Sequence, residues 1–264
     1  MLCVGIDVGA SKVAAAVVDT AKRRVLERRR VATTRDGRDV LRDCVRLAEG
    51  LHRPDVERLG LAVCELVRPD GTIASAATVD WTAIDVSAAF SHIAPTVVES
   101  DVRAAAVAEA RLGAGRDRES MLFVNVGSGI SHTMVVEGRP LAGARGNAII
   151  TGAPPVERWS SGLALAAAAG ARTEEVFADP ACAGMVAEAA TRLAQTLAAL
   201  VNALDPEVVV IGGGLGSVRS YRGMIEHGTR SLIYAEETRR LEIVPAALGA
   251  DAALIGATLV AAEA

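Results

Sequence analysis

Cysteine is sparse and scattered: Cys3, Cys44, Cys64 and Cys182 form no C-x-x-C pair. Neither a disulfide framework nor a zinc site is read from such spacing, and buried, reduced thiols are expected. Positive charge is not in excess either. With 28 Lys+Arg against 32 Asp+Glu and a net charge of -4, the chain offers no electrostatic reason to bind nucleic acid or an anionic membrane. The one dense basic stretch, Lys22, Arg23, Arg24 and Arg28 to Arg30, lies where a hairpin turn belongs and reads as a solvated hairpin. No apolar run is long enough to span a bilayer, and the first residues lack the basic region, apolar stretch and cleavage site of a signal peptide. A cytoplasmic location is the expectation.

What the chain does have is apolar substance and repetition. At 51% hydrophobic over 264 residues, it can bury two ordinary cores. VGIDVGASKVAAAVVD at residues 4–19 is an apolar strand, a glycine turn carrying a hydroxyl, and a second apolar strand; LFVNVGSGISHTMVVEG has the same shape downstream. A tight glycine turn lets backbone N–H groups converge on an anion, with phosphate the first candidate. An amphipathic helix is expected near 38–50, a strand at LGLAVCELV, and, in ESDVRAAAVAEARLGAG, a short loop followed by an Ala-rich helix that ends at Gly113. The second half repeats the scheme, with strands at 121–126 and 132–137, helices near 160–170 and 184–204, and the buried strand of DPEVVVIGGGLG. The offset between Gly9 and Gly127 points to a duplicated unit. The expected lobes are 1–112 and 113–249, with a C-terminal helix in 250–264 packing back on the first.

Individual phosphate motifs do not fit. GIDVGASK is not a Walker loop, GGGLGS has Ser217 where a dinucleotide fingerprint needs its third glycine, and protein-kinase signatures are absent. The order of the pieces says more. GIDVGASK, ESDVRAAAVAEA, VNVGSGIS, DPEVVVIGGG and LGADAALIGA, in that sequence, resemble the sugar-kinase, heat-shock-protein and actin superfamily, and within it the ROK kinases. The resemblance implies an α/β fold of two actin-like (ribonuclease H-like) lobes with a nucleotide cleft between them.

It also implies roles. Gly9, Ala10, Ser11 and Lys12 would meet the ATP phosphates from one side and Gly127, Ser128 and Gly129 from the other, with Gly212, Gly213 and Gly214 on the adenosine side; the alternative is that these are ordinary tight turns. Asp7 interrupts an apolar strand, and a buried carboxylate is costly unless paired or near a metal, so it is expected close to Mg2+ through water. Asp101 lies in a loop at the N-terminal end of a helix and reads either as its cap or, by resemblance, as the base for the attacking hydroxyl. Ser100 replaces the family's asparagine beside it and would contact substrate.

The chain departs from the family after Gly146. Where ROK kinases read G-E-I-G-H, then a cysteine-rich zinc loop, this chain reads GNAIITGAPPVERWSSG. Ile150 stands for the sugar-binding glutamate, Ala153 for the histidine that contacts sugar and zinc, and the cysteine loop is missing, so no structural zinc is expected. Glu157 survives. Glu65 either replaces the lost carboxylate or is an exposed strand-end glutamate, while Asp80 and Trp81 either line the sugar side or, for Trp81, join the core. Loss of two polar partners suggests a deoxysugar, aminosugar or carbocyclic polyol as acceptor. The expected activity is an ATP-dependent kinase on a sugar or cyclitol hydroxyl, acting as a homodimer. A catalytically inactive sugar- or nucleotide-binding homologue is the alternative. A repressor is not expected, because no helix-turn-helix precedes the first turn.

Overall fold

A computed structural model describes residues 1–264. The chain divides into two compact units: Met1–Leu112 with Pro140–Ile149 and Asp251–Ala264, and Gly113–Arg139 with Ile150–Ala250.

In the first unit, β1 (Leu2–Val8) and β2 (Lys12–Asp19) form the opening hairpin, followed by β3 (Arg24–Ala32), α1 (Gly37–Leu51), β4 (Val56–Val63), β5 (Thr96–Ser100) and α2 (Asp101–Leu112). The sheet order is β3-β2-β1-β4-β5. β1 to β3 are antiparallel neighbours, whereas β1, β4 and β5 run parallel. The central strands are buried apolar runs, as a sheet covered on both faces requires. On one face α1 presents Val40, Cys44, Leu47, Ala48 and Leu51 to the core, and Asp36 caps its start by accepting from Arg38 N and Asp39 N.

The last helix of the chain, α8 (Ala252–Glu263), belongs to this unit. It meets α2 at backbone distance: a Cβ on Gly256 would lie 1.7 Å from Ala104 O, so only glycine fits there. The run of alanines in α2 is explained by that closeness.

Two local expectations change. The basic stretch is not confined to a turn, because Arg24 and Arg28 to Arg30 lie on β3, the sheet's edge strand. There Arg28 pairs with Asp251 and Arg29 with Glu27, and charge on an exposed edge discourages pairing with another chain. The strand expected at LGLAVCELV ends at Val63, and residues 64–79 fold as a loop around Glu65.

The second unit repeats the strand scheme. β6 (Ser120–Val126), β7 (Ile130–Val136) and β8 (Arg139–Pro140) are followed by α3 (Glu157–Ser160), α4 (Gly162–Ala169), α5 (Thr173–Ala178) and α6 (Ala183–Leu204); then come β9 (Val208–Gly212), α7 (Arg219–Leu232) and β10 (Glu242–Pro245). Its order, β8-β7-β6-β9-β10, is that of the first sheet position for position. α6 buries Val186, Ala189, Leu193, Leu197 and Val201, one helical face. The single helix expected near 160–170 is two, since Ser161 ends α3 and restarts the chain as the cap of α4 by accepting from Ala164 N at 3.2 Å. No helix is long and apolar enough to cross a membrane.

Candidate active site

Parallel strands carry their ligands at their C-terminal ends. In the first unit those ends belong to β1, β4 and β5, and they bring Asp7, Glu65 and Asp101 into one electrostatic neighbourhood. Burial pushes the Asp101 carboxyl up to about 7, with repulsion from Asp7 and, less, from Glu65 adding to it; the Val102 N–H and Arg103 pull the other way. Burial also pushes Asp7 up to about 6, helped by Asp251 and opposed by Lys12. Two neighbouring acids, both raised by burial, are relieved by a bound cation or a proton. Cys64 stays protonated beside them, its thiol pushed to about 12 by burial and by Asp101.

The glycine turn between β1 and β2 is anchored from behind. Gly9 N donates to Lys12 O at 3.0 Å, while Thr33 bonds two of the turn's carbonyls, through Oγ1 to Gly9 O (2.8 Å) and through N to Ser11 O (3.2 Å). With these oxygens engaged, no protein acceptor competes for the N–H groups of Ala10 and Ser11.

Asp101 does not cap α2. Ser100 does, its Oγ accepting from Arg103 N at 3.4 Å. This corrects the expected substrate contact of Ser100, which is completely buried under the helix start. Asp101 sits at the first helical position, one oxygen accepting from the Val102 N–H at 2.7 Å. Glu65 is corrected as well. It is neither exposed nor available to a substrate: it is buried, and its two oxygens accept from Ser75 Oγ, Ala77 N (2.9 Å), Thr78 N (2.6 Å) and Val79 N (3.0 Å). A carboxylate with its lone pairs so filled holds the loop 75–79. Asp80 is exposed and accepts from Thr82 N at 3.0 Å in an Asx turn, and the side chain and N–H of Thr82 together keep its carboxyl below the usual range. Trp81 is core, 5% exposed, with Nε1 unpaired.

The second unit contributes glycine turns and no buried acid. Gly127 N donates to Gly129 O at 2.9 Å, and the first N–H groups of α4 hold the turn's carbonyls, Gly162 N to Gly127 O (2.8 Å) and Leu163 N to Ser128 O (3.3 Å). Glu157 Oε2 accepts from Ile130 N at 3.1 Å, so this expected substrate residue also braces the turn. After β9, Gly213 (φ +84°) packs on the end of β6, where a Cβ would stand 2.4 Å from Val126 O. Gly214 lies beside Gly127, with its N 3.7 Å from where a Cβ of Gly127 would be. The two turns therefore form one glycine-lined surface.

Ile150 and Ala153 are exposed, and between them Thr151 is buried with Oγ1 2.9 Å from His132 Nδ1. Burial holds His132 below the usual histidine range, so it is neutral at pH 7. The four cysteines are free, and no three metal-ligating side chains cluster. Two residues of consequence escaped the sequence: Thr33, which has no local signal, and Arg103, whose signal is a charge set in an otherwise apolar helix face.

The ROK family matches residues 3–161 and 156–264, the whole chain but its first two residues. The chain belongs to the ROK family. Among relatives of this ROK chain, the bifunctional enzyme NanE/NanK of Brucella melitensis is 36% identical over 62% of the chain and 34% of its own length; the chain thus spans about a third of that relative. The N-acetylmannosamine kinase of Citrobacter koseri is 29% identical over 99% of both chains. A ROK family glucokinase from Streptomyces griseus, solved in complex with glucose and AMPPNP, superposes with a TM-score of 0.88 at 25% identity and covers 100% of both chains.

Proposed function

We propose that the protein is an ATP-dependent kinase that transfers the γ-phosphoryl group to a hydroxyl of a sugar, aminosugar or cyclitol, with Asp101 as general base. The observation that carries this reading is a carboxyl poised near pH 7 at the start of α2, beside Asp7, in the same unit as an anchored glycine turn. Relatives named N-acetylmannosamine kinase and glucokinase support it.

The acceptor hydroxyl gives its proton to Asp101 as its oxygen bonds to the γ-phosphorus; the bond from that phosphorus to the bridging oxygen breaks, and ADP leaves with the electron pair. Little covalent work falls to the protein, so alignment and charge neutralisation dominate. Gly9, Ala10, Ser11 and Lys12 are the phosphate-binding turn of the first unit, Gly127, Ser128 and Gly129 are that of the second, and Gly212 to Gly214 serve the adenosine. Asp7 would hold Mg2+ through water, an assignment its raised pKa suits, because a cation removes the cost of the buried charge, and the ion would supply charge neutralisation at the phosphates. Glu157 remains the acceptor-side carboxylate, and the apolar Ile150 and Ala153 favour a deoxy, amino or carbocyclic ring over glucose. The protein acts in the cytoplasm, as a homodimer, without nucleic acid.

An inactive binding protein is the second reading, favoured by the same Ile150 and Ala153. Coupled ADP release across hexoses, N-acetylmannosamine, other aminosugars, deoxysugars and C7 cyclitols decides between the two. Turnover of one acceptor well above the ATP blank is expected; a flat panel with intact nucleotide binding would establish the binding protein instead.

A further inference from the structure

Arg103 takes no part in the reaction as derived, yet its side chain is among the largest that are fully buried. Its guanidinium donates through Nε to Glu99 Oε1 (2.7 Å), through Nη2 to Val67 O (2.7 Å) and through Nη1 to Gly146 O (3.2 Å). Those acceptors belong to three separate stretches: the end of β5, the loop after β4, and the segment Pro140–Ile149 that continues directly into Ile150. The two loops touch at this point, since a Cβ on Gly146 would lie 2.0 Å from Val67 O. One planar fork thus bonds the carbonyls on both sides of the contact, from a residue two positions beyond Asp101.

Stability alone does not call for this arrangement. A buried ion pair is often replaced by apolar residues at no loss, and the other buried residues of this helix are alanine and valine apart from Glu109. We infer that Arg103 is a positioning residue: it fixes the loop after β4 and the segment 140–149 against the first turn of α2, so that the acceptor is presented to Asp101. The inference rests on Asp101 as the base and on the stretch after Gly146 as the acceptor side. Lysine cannot reproduce the fork, because a single ammonium lacks the planar set of donors that reaches three acceptors at once.

Arg103→Lys is the first test, read by hydrogen–deuterium exchange and by kinetics with N-acetylmannosamine and glucose as probe acceptors. Amides in 66–74 and 140–149 are expected to exchange about tenfold faster while those of β6 and β7 do not change. The acceptor KM is expected to rise about tenfold or more, with the ATP KM held within about twofold. The double variant Arg103→Met with Glu99→Gln removes both charges together, so that no buried charge is left unpaired while the carbonyls of Val67 and Gly146 lose their donor, and is expected to show the same two defects in a folded protein. Unchanged loop exchange in either folded variant overturns the inference. So does faster exchange with an unchanged acceptor KM, which would leave Arg103 a structural clamp only. Where the wild type turns over neither probe, the KM is read on the acceptor that the ADP-release panel identifies. Failure of the base assignment is separable, because Asp101→Asn with near-normal kcat removes the base while loop exchange still reports the clamp.

Discussion

The two glycine turns do the same thing by different means. In the first unit a threonine from the end of β3 engages the carbonyls of Gly9 and Ser11; in the second the N-terminus of α4 engages those of Gly127 and Ser128. Both leave turn N–H groups without protein acceptors, which is what an anion requires. The strands leading in differ by one atom group at an equivalent place: Asp7-Val8-Gly9 against Asn125-Val126-Gly127. The negative charge, and with it the coupled acid pair, exists in one unit only. Within a duplicated sheet of identical strand order, the proposed acid–base chemistry falls to the first unit, and the second offers a glycine turn without a buried acid.

The largest effect expected from this asymmetry is at Asp101. Asp101→Asn keeps the shape and removes the base, so kcat falls about a hundredfold to ten-thousandfold while nucleotide Kd is unchanged. A base works ionised, so wild-type kcat rises with pH through about 7, the value to which burial and Asp7 push Asp101. Stability runs the opposite way. A carboxyl with a folded pKa above its unfolded value stabilises the fold most below the unfolded pKa, near pH 3.8, and loses that contribution as pH rises through about 7. Asp101→Asn is therefore expected to raise Tm at pH 8, by on the order of 2–4 °C for a gain of about 1 kcal/mol, and to leave it unchanged or lower at pH 4. Near-normal kcat in this variant would remove Asp101 from the chemistry.

Next comes the pair Gly213→Ala and Thr33→Val, one in each unit. Alanine at Gly213 demands a positive φ and places its Cβ 2.4 Å from Val126 O, so it is expected to destabilise by roughly 1–3 kcal/mol and to weaken nucleotide binding in parallel. Valine at Thr33 leaves the Gly9 carbonyl without its side-chain donor, at about 1 kcal/mol. Thermal melts with and without ATP measure both. Equal costs would mean that the close packing at Gly213 and the single hydrogen bond of Thr33 matter alike to the two units.

Swapping the strand ends sharpens the comparison further. Asp7→Asn makes the first unit match the second; the Mg2+ concentration needed for half-maximal rate is expected to rise, and stability at pH 8 to rise with it, since a buried charge is removed. An unchanged Mg2+ requirement would take the cation away from Asp7.

How much of this was readable from the chain depends on sequence distance. The turns at Gly9 and Gly127, the helix after Asp101 and the glycine run after β9 are local signals, each a few residues of apolar period and punctuation, and their order carried the family. The roles of Glu65, Thr33 and Arg103 were not readable. Glu65 takes its meaning from donors at 75–79, Thr33 from a carbonyl at Gly9, and Arg103 from carbonyls at Val67 and Gly146. Such pairs are made by the fold, and no periodicity announces them. Ser100 is the opposite case: the cue was local, a hydroxyl residue just before a helix, but the neighbouring Asp101 offered the same cue, and only the geometry separates the cap from the acid.

The smallest expected effect tests that separation. With Ser100 as the cap, Ser100→Ala removes an acceptor for the Arg103 N–H in a completely buried place, and costs about 0.5–2 kcal/mol of stability. Asp101 keeps its bond to the Val102 N–H and its acid neighbours, so its chemistry is barely disturbed. The acceptor KM and kcat of the folded variant are then expected to stay within about threefold of wild type, whereas a lost substrate hydrogen bond raises KM and leaves Tm alone. The two roles thus predict opposite columns of the same measurement: a lower Tm with steady kinetics for a cap, steady Tm with a raised acceptor KM for a ligand. Asparagine at this position discriminates once more, since it also caps helices well and would restore Tm without needing to touch a substrate. A variant that melts like the wild type but binds its acceptor poorly would return Ser100 to the substrate side and undo the division of labour between it and Asp101.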